Sequence, residues 1–480
     1  MTAATSYTGG TTITAGILQL SGSGAIDDSS SLTISGGSFA IASGSGTKSI
    51  ATLSGNGDIA LNDNNLIVTQ GSNATFSGNV SGSGGLTKAG NSELTLSGNN
   101  TYSGGTTISA GTLIGTTTSL QGDIVNSASL IFDQAVTGTY SGAISGAGNV
   151  TKDGSGSVTL SGTNVYSGGT TISEGILSIS ASDNIGSGPV QIDNNGQLTT
   201  TATFNLSNTI SLGTGVTKVA TNSGTALTLT GSVGRVPSGG ILFKEGSGTL
   251  ILTQPNTNDS TIINAGTLRV SGSGTVGTAF LTLFGANTTF EIASGTGDKA
   301  VPNLSGFLAS QSILLNDNRM MITQSLPSVF PGVISGSGGI TKAGTETLTL
   351  SGANTYTGAT IINGGTLELS GAGTLGDASD LTISSGSFSI ASGAGTKAIG
   401  DLSGAGSGIS LNDNTLTIQQ TGDTTFSGVM SGTGNITKSG MGELTLTGAN
   451  TYSGGTAISA GRLIGTTTSL QGDIVNNAAL

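Results

Sequence analysis

The chain has 480 residues, of which only 8% are charged, with 25 acidic and 13 basic side chains giving a formal charge of −12. Thinly spread acidity argues against a nucleic-acid partner, and the absence of Cys, His and Trp removes disulfides, thiolate metal sites and the commonest general base. Gly at 84 and Pro at 6 stay below the level of low-complexity disorder, so the chain is expected to fold; with Ser, Thr, Asn and Gly meeting the water, strands and turns are favoured over helices.

In chain order, residues 1–30 lack a basic start with an apolar core, and no run reaches the 18 apolar residues of a membrane helix. A truncated repeat opens the chain around Tyr7. A long unit follows, with Ile-Ala-Ser-Gly at Ile41 and Leu-Asn-Asp-Asn at Leu61, then Thr-Lys88 and the block Leu94-Thr-Leu-Ser-Gly-Asn-Asn-Thr-Tyr102-Ser-Gly-Gly-Thr-Thr-Ile108-Ser-Ala-Gly-Thr-Leu113. The block recurs at Val158 to Leu177, Leu348 to Leu367 and Leu444 to Leu463, with a degenerate copy from Thr249 to Leu268. Lys88, Lys152, Lys342 and Lys438 each stand 14 residues before Tyr102, Tyr166, Tyr356 and Tyr452, and Lys244 marks the degenerate copy. Further long units carry Ile292 with Leu315 and Ile390 with Leu411. Residues 180–240 are the least repetitive and read as divergent coils, with a small separate domain as the alternative.

Self-similarity of this kind is the signature of a solenoid. Within each block Leu94 and Leu96 flank Thr95, a period of two that buries one face of a short strand. At roughly 20 residues per coil the chain would form roughly 24 coils, with Leu stacked on Leu inside and Thr or Asn on its equivalent outside.

The block, with Lys ahead of it, resembles the autotransporter-associated β-strand repeat, also called the passenger-associated transport repeat. That resemblance implies an all-β, right-handed parallel β-helix over residues 1–480, belonging to the passenger of a Gram-negative type V secreted protein at the cell surface. It also implies an outer-membrane β-barrel as the partner in export; neither a signal peptide nor that barrel is legible here. Residues 464–480 repeat residues 114–130 almost residue for residue, so the chain reads as a fragment cut mid-repeat. The expected role is a stiff stalk or adhesion surface, with host-cell or matrix contact or self-association as its partners and no cofactor. A β-helical polysaccharide lyase or hydrolase is the alternative from another class.

Candidate site residues each have a structural reading beside a functional one. Tyr102, Tyr166, Tyr356 and Tyr452 could stack on sugars, but their fixed place before a Gly turn favours packed rings whose hydroxyls bond the backbone. Asn62-Asp63-Asn64, Asn316-Asp317-Asn318 and Asn412-Asp413-Asn414 offer oxygen ligands for Ca²⁺, and turn formation accounts for them as well. The motif lysines, with Lys48, Lys299 and Lys397, suggest a basic stripe or, preferably, charges at turns that hinder sideways strand pairing. Arg235, Arg269, Arg319 and Arg462 are scattered, no acidic pair sits in a loop insertion, and a Ser–His–Asp triad is impossible without His. Thr-x-Thr rows through Thr95 and Thr107 could offer a flat ice or mineral surface, but their spacing is not uniform enough to favour it.

Overall fold

Alternating apolar and small polar residues, interrupted by Gly or Asn every few positions, can bury one edge of an extended segment but not sustain a long one. The computed structural model describes all residues except 5, 6, 8, 194, 237, 238, 377, 378, 479 and 480. Nearly all of its strands are two to five residues long, and every pairing described between them is parallel. The fold is a parallel β-solenoid, and the one helical element among the described residues is the 3-10 turn Ser182–Asn184. Two units are distinguished, Met1–Leu227 with Val236–Gly240 and Thr228–Arg235 with Ile241–Leu480.

In the first unit one sheet runs through Thr11–Ile13, Leu32–Ile34, Leu53–Gly55, Ala74–Phe76, Glu93–Leu96, Thr112–Gly115, Ser129–Asp133 and Asn149–Asp153. A second runs through Lys48–Ile50, Leu66–Thr69, Leu86–Ala89, Thr106–Ile108, Ile124–Asn126 and Ile144–Ser145. Leu94 pairs with Leu113, Leu113 with Leu130 and Leu130 with Val150, steps of 19, 17 and 20 residues that agree with the predicted coil length. All four side chains are buried, each worth roughly 1.5–3 kcal/mol relative to exposure. In the divergent stretch, Val190–Ile192 pairs with Thr170–Ile172 and Ile210–Leu212, and Gln197–Thr200 with Ile176–Ile179 and Gly215–Thr221.

The second unit repeats the plan. Lys299–Pro302, Met320–Thr323, Ile340–Ala343, Thr360–Leu369 and Leu381–Ile390 form one ladder, and Thr249–Leu252, Thr267–Val270, Thr289–Ile292 and Ser312–Leu314 belong to another. Outside, the stacked hydroxyls Thr282 and Ser305 are 3.0 Å apart and Thr382 and Ser403 3.1 Å, as Thr33 and Ser54 are in the first unit at 3.0 Å. The Thr rows, whose spacing already disfavours a flat surface, are broken in the stack, because Thr95 meets Ile114 and Thr107 meets Val125. Turn glycines allow the coils to close up: a Cβ at Gly78 would collide with the Gly57 carbonyl, and one at Gly98 with that of Gly78.

Candidate functional site: buried polar clamps of the repeat

Each motif lysine belongs to a short strand that ends at a tight corner, where carbonyls of the corner and of the next coil converge on its ammonium; one of them, Ala89 O beside Lys88, also accepts a ladder bond from Gln70 N–H. Lys88 alternates inward in Leu86–Ala89 and is fully buried. Its Nζ donates to the carbonyls of Ala89 at 2.9 Å, Gly90 at 2.8 Å and, one coil later, Ala110 at 3.0 Å. Lys152 repeats this with Asp153, Gly154 and Glu174, Lys438 with Ser439, Gly440 and Ala460, and Lys244 with Glu245, Gly246 and Ala265. Lys342 bonds Ala343 and Gly364.

This corrects the expectation of charges at exposed turns. The ammonium caps a corner and ties it to the following coil, so it forms neither a surface stripe nor a guard against sideways pairing. Lys48, Lys299 and Lys397 are also buried and reach back to the carbonyls of Gly22, Gly272 and Gly371 at 2.6–2.7 Å. Burial lowers the pKa of the motif lysines, bringing Lys244 and Lys342 to about 8.

The motif tyrosines are fully buried, so no ring is open to a sugar. Their hydroxyls bond the hydroxyl of the Thr four residues on: Tyr102 with Thr106 at 2.8 Å, Tyr166 with Thr170 at 2.6 Å, Tyr356 with Thr360 and Tyr452 with Thr456 at 2.7 Å. The expected backbone partner is present as well, Gln471 N–H donating to the Tyr452 hydroxyl at 3.3 Å, and the Thr of the turn adds a second. Burial raises the pKa of Tyr102, Tyr166 and Tyr356. The truncated first copy keeps the pair, Tyr7 with Thr11.

Sequence reasoning missed the asparagine two positions before each tyrosine. Asn100 is buried, its Oδ1 accepting Val80 N–H at 2.7 Å from the coil before and its Nδ2 donating to Ser119 O at 2.6 Å on the coil after. Asn164 joins Ile144 to Asn184, Asn256 joins Val233 to Thr275, Asn354 joins Ile334 to Thr374, and Asn450 joins Met430 to Ser469. An Asn at this fixed offset in all five copies was the available signal.

The Asn-Asp-Asn triplets form turns. Asn62, Asn316 and Asn412 have φ of 53°, 52° and 51°, a left-handed conformation Asn tolerates better than most residues. Asp63, Asp317 and Asp413 accept the amides of Gly44, Gly295 and Gly393 on neighbouring turns, which lowers their pKa. Among the described residues no three His, Cys, Asp or Glu side chains gather as metal ligands. Arg269 and Glu291 pair across adjacent coils at 2.8 Å, as Arg462 and Glu443 do at 2.9 Å, and these arginines face single carboxylates on the surface of the stack.

The passenger-associated-transport-repeat model matches residues 1–20, 86–114, 150–179, 242–270, 340–369 and 436–464. These segments contain every motif lysine and tyrosine described above. Over 344 residues, 65% of this chain, the sequence is 32% identical to the adhesin BmaC autotransporter of Brucella suis biovar 1 (strain 1330). The chain spans about a tenth of that relative's length. No solved structure matches significantly.

Proposed function

We propose that this chain, an extracellular passenger segment of an autotransporter-type bacterial surface protein, is a non-enzymatic scaffold whose outer face touches a host-cell or matrix surface. One observation carries the reading. The polar residues that recur with the repeat, Lys88, Asn100 and Tyr102 and their counterparts, are turned inward onto the chain's own backbone and hydroxyls. Residues that look like candidates for chemistry therefore hold coils together, and contact falls to side chains that vary from coil to coil. The adhesin named above supports the same direction, and export through an outer-membrane barrel goes with it.

Bacteria displaying this chain should attach to immobilised matrix or cultured cells several-fold more than bacteria displaying the barrel alone. Equal attachment, together with depolymerisation of an acidic polysaccharide by the purified chain, would replace this reading with an enzymatic one.

A further inference from the structure

The three long units serve as internal references for one another, because they align at the turns beginning Leu61, Leu315 and Leu411. Five outward positions differ in kind. Phe280, Phe284, Phe307, Leu326 and Val329 of the middle unit stand where the first has Ser31, Ser35, Asn56, Ser72 and Thr75, and the last has Asp380, Ser384, Ala405, Gly422 and Thr425. In the middle unit these side chains are 36 to 61% exposed, and they include every exposed phenylalanine among the described residues.

Register makes one strip of them. Leu283 pairs with Gly306, which sets Phe284 beside Phe307 on adjacent coils, with ring centroids 5.6 Å apart and planes at 73°. Phe280 and Phe284 project from the same side of a strand, about 13 Å apart at ~3.3 Å per residue. At the Phe280 end lies a cleft of about 460 Å³, lined by the apolar Val276, Val301 and Pro302 and the polar Asn303, Thr323 and Ser325. Asn303 joins cleft to strip: its Nδ2 donates to Ala279 O at 2.8 Å, and its Oδ1 accepts Leu326 N–H at 3.3 Å. It is held at φ 33°, in the left-handed region.

At three positions here the middle unit is uncharged, as the first unit is with Ser31, Thr52 and Asn73, whereas the last unit carries carboxylates. Asp380, Asp401 and Asp423 of the last unit correspond to Phe280, Asn303 and Pro327, and residues 300–316 and 320–341 carry no charged side chain. On the adjoining coil Asp259, whose carbonyl accepts Ala279 N–H, is already paired with Arg235, so this charge does not favour an ionic ligand. Five half-exposed apolar side chains present roughly 400–500 Å², the size of a functional patch but below the ~800 Å² per partner of a standard protein interface. A small, uncharged, amphipathic ligand fits both limits.

We propose that this face of the second unit binds a neutral oligosaccharide. Its C–H ring faces lie on the Phe284–Phe307 pair, and its hydroxyls meet the amide and hydroxyl groups around the cleft. A mainly apolar site with a few convergent polar groups is the usual build of a ligand pocket. The inference deepens the surface-contact reading and rests on it for biological purpose.

Calorimetric titration of the full 480-residue chain with cellohexaose, chitohexaose and maltohexaose tests it, with hexagalacturonate as the charged reference. At least one neutral hexasaccharide should bind one per chain. Phe284→Ser with Phe307→Asn, which installs the first unit's own residues, should weaken binding about tenfold or more. Leu326→Ser with Val329→Thr should weaken it in the same direction, with unchanged thermal unfolding in both variants confirming the fold. The proposal is overturned if no neutral hexasaccharide binds at millimolar concentration, if hexagalacturonate binds as tightly, or if both double variants bind like the natural chain. It is also overturned if sedimentation shows the natural chain self-associating through this strip and the variants monomeric. Displayed cells that still attach after the Phe284→Ser and Phe307→Asn changes would leave surface contact standing and remove only this site.

Discussion

A buried ammonium without a direct ion pair is costly unless its donors find acceptors, and the carbonyls around Lys88 take three bonds from it, as those around Lys152, Lys244 and Lys438 do from theirs. The residual penalty shows in Lys244 and Lys342, which burial brings to about 8 from the ordinary 10.5. Between those values the unfolded chain holds protons that the folded chain has released, so the two lysines add stability as pH rises from about 8 to about 10.5. The urea midpoint of the second unit should therefore gain from this term between pH 7 and pH 10, compared with a Lys244→Met and Lys342→Met variant. An identical pH response in both chains would sink the argument. The sequence exposes these lysines as periodic but cannot place them, because their partners are carbonyls of a corner and of the coil stacked on it. Read without the stack, a lysine belongs on the surface; within it, each lysine donates to carbonyls that the corner and the next coil bring together.

Among strands and turns, the alternation of Leu94 and Leu96 about Thr95 was enough to foretell inward aliphatic columns, while a coil near 20 residues followed from the usual length of short solenoid repeats. What the pattern concealed is how adjacent coils are pinned in register. Asn100 does this for three coils at once, through Val80 N–H and Ser119 O. Replacing it with Ala strands one buried donor and one buried acceptor, a loss of about 2–4 kcal/mol confined to that stretch. Hydrogen exchange should speed up at Val80 and in the turn through Ser119 while Leu18 to Ile41 keep their protection. Uniform acceleration through the first unit, or none, would contradict the local role. The apolar strip from Phe280 to Val329 was equally hidden, because Phe or Leu in a sequence reads as core until register shows which side of the strand it occupies.

Across each unit, the motif lysine and asparagine clamps are completed only when the next coil arrives. Lys88 waits for Ala110, Asn100 for Ser119, Lys342 for Gly364 and Asn354 for Thr374, each about one coil downstream. Such a chain needs no contact between distant segments, so under the proposed export route it can gain stability coil by coil. Unclamped coils would leave buried amides and carbonyls unpaired and would open more readily to water. Fused to an outer-membrane β-barrel, a chain with Asn100→Ala, Asn164→Ala, Asn354→Ala and Asn450→Ala should reach the surface more slowly than the natural one. The surface-exposed material should also be cut faster by added protease. Pulse-chase labelling with protease shaving measures both, and the comparison separates two roles for the repeat. If protease sensitivity rises but the rate of appearance is unchanged, the clamps stabilise the displayed solenoid without helping it out; if both are unchanged, the coils are held by their aliphatic columns alone.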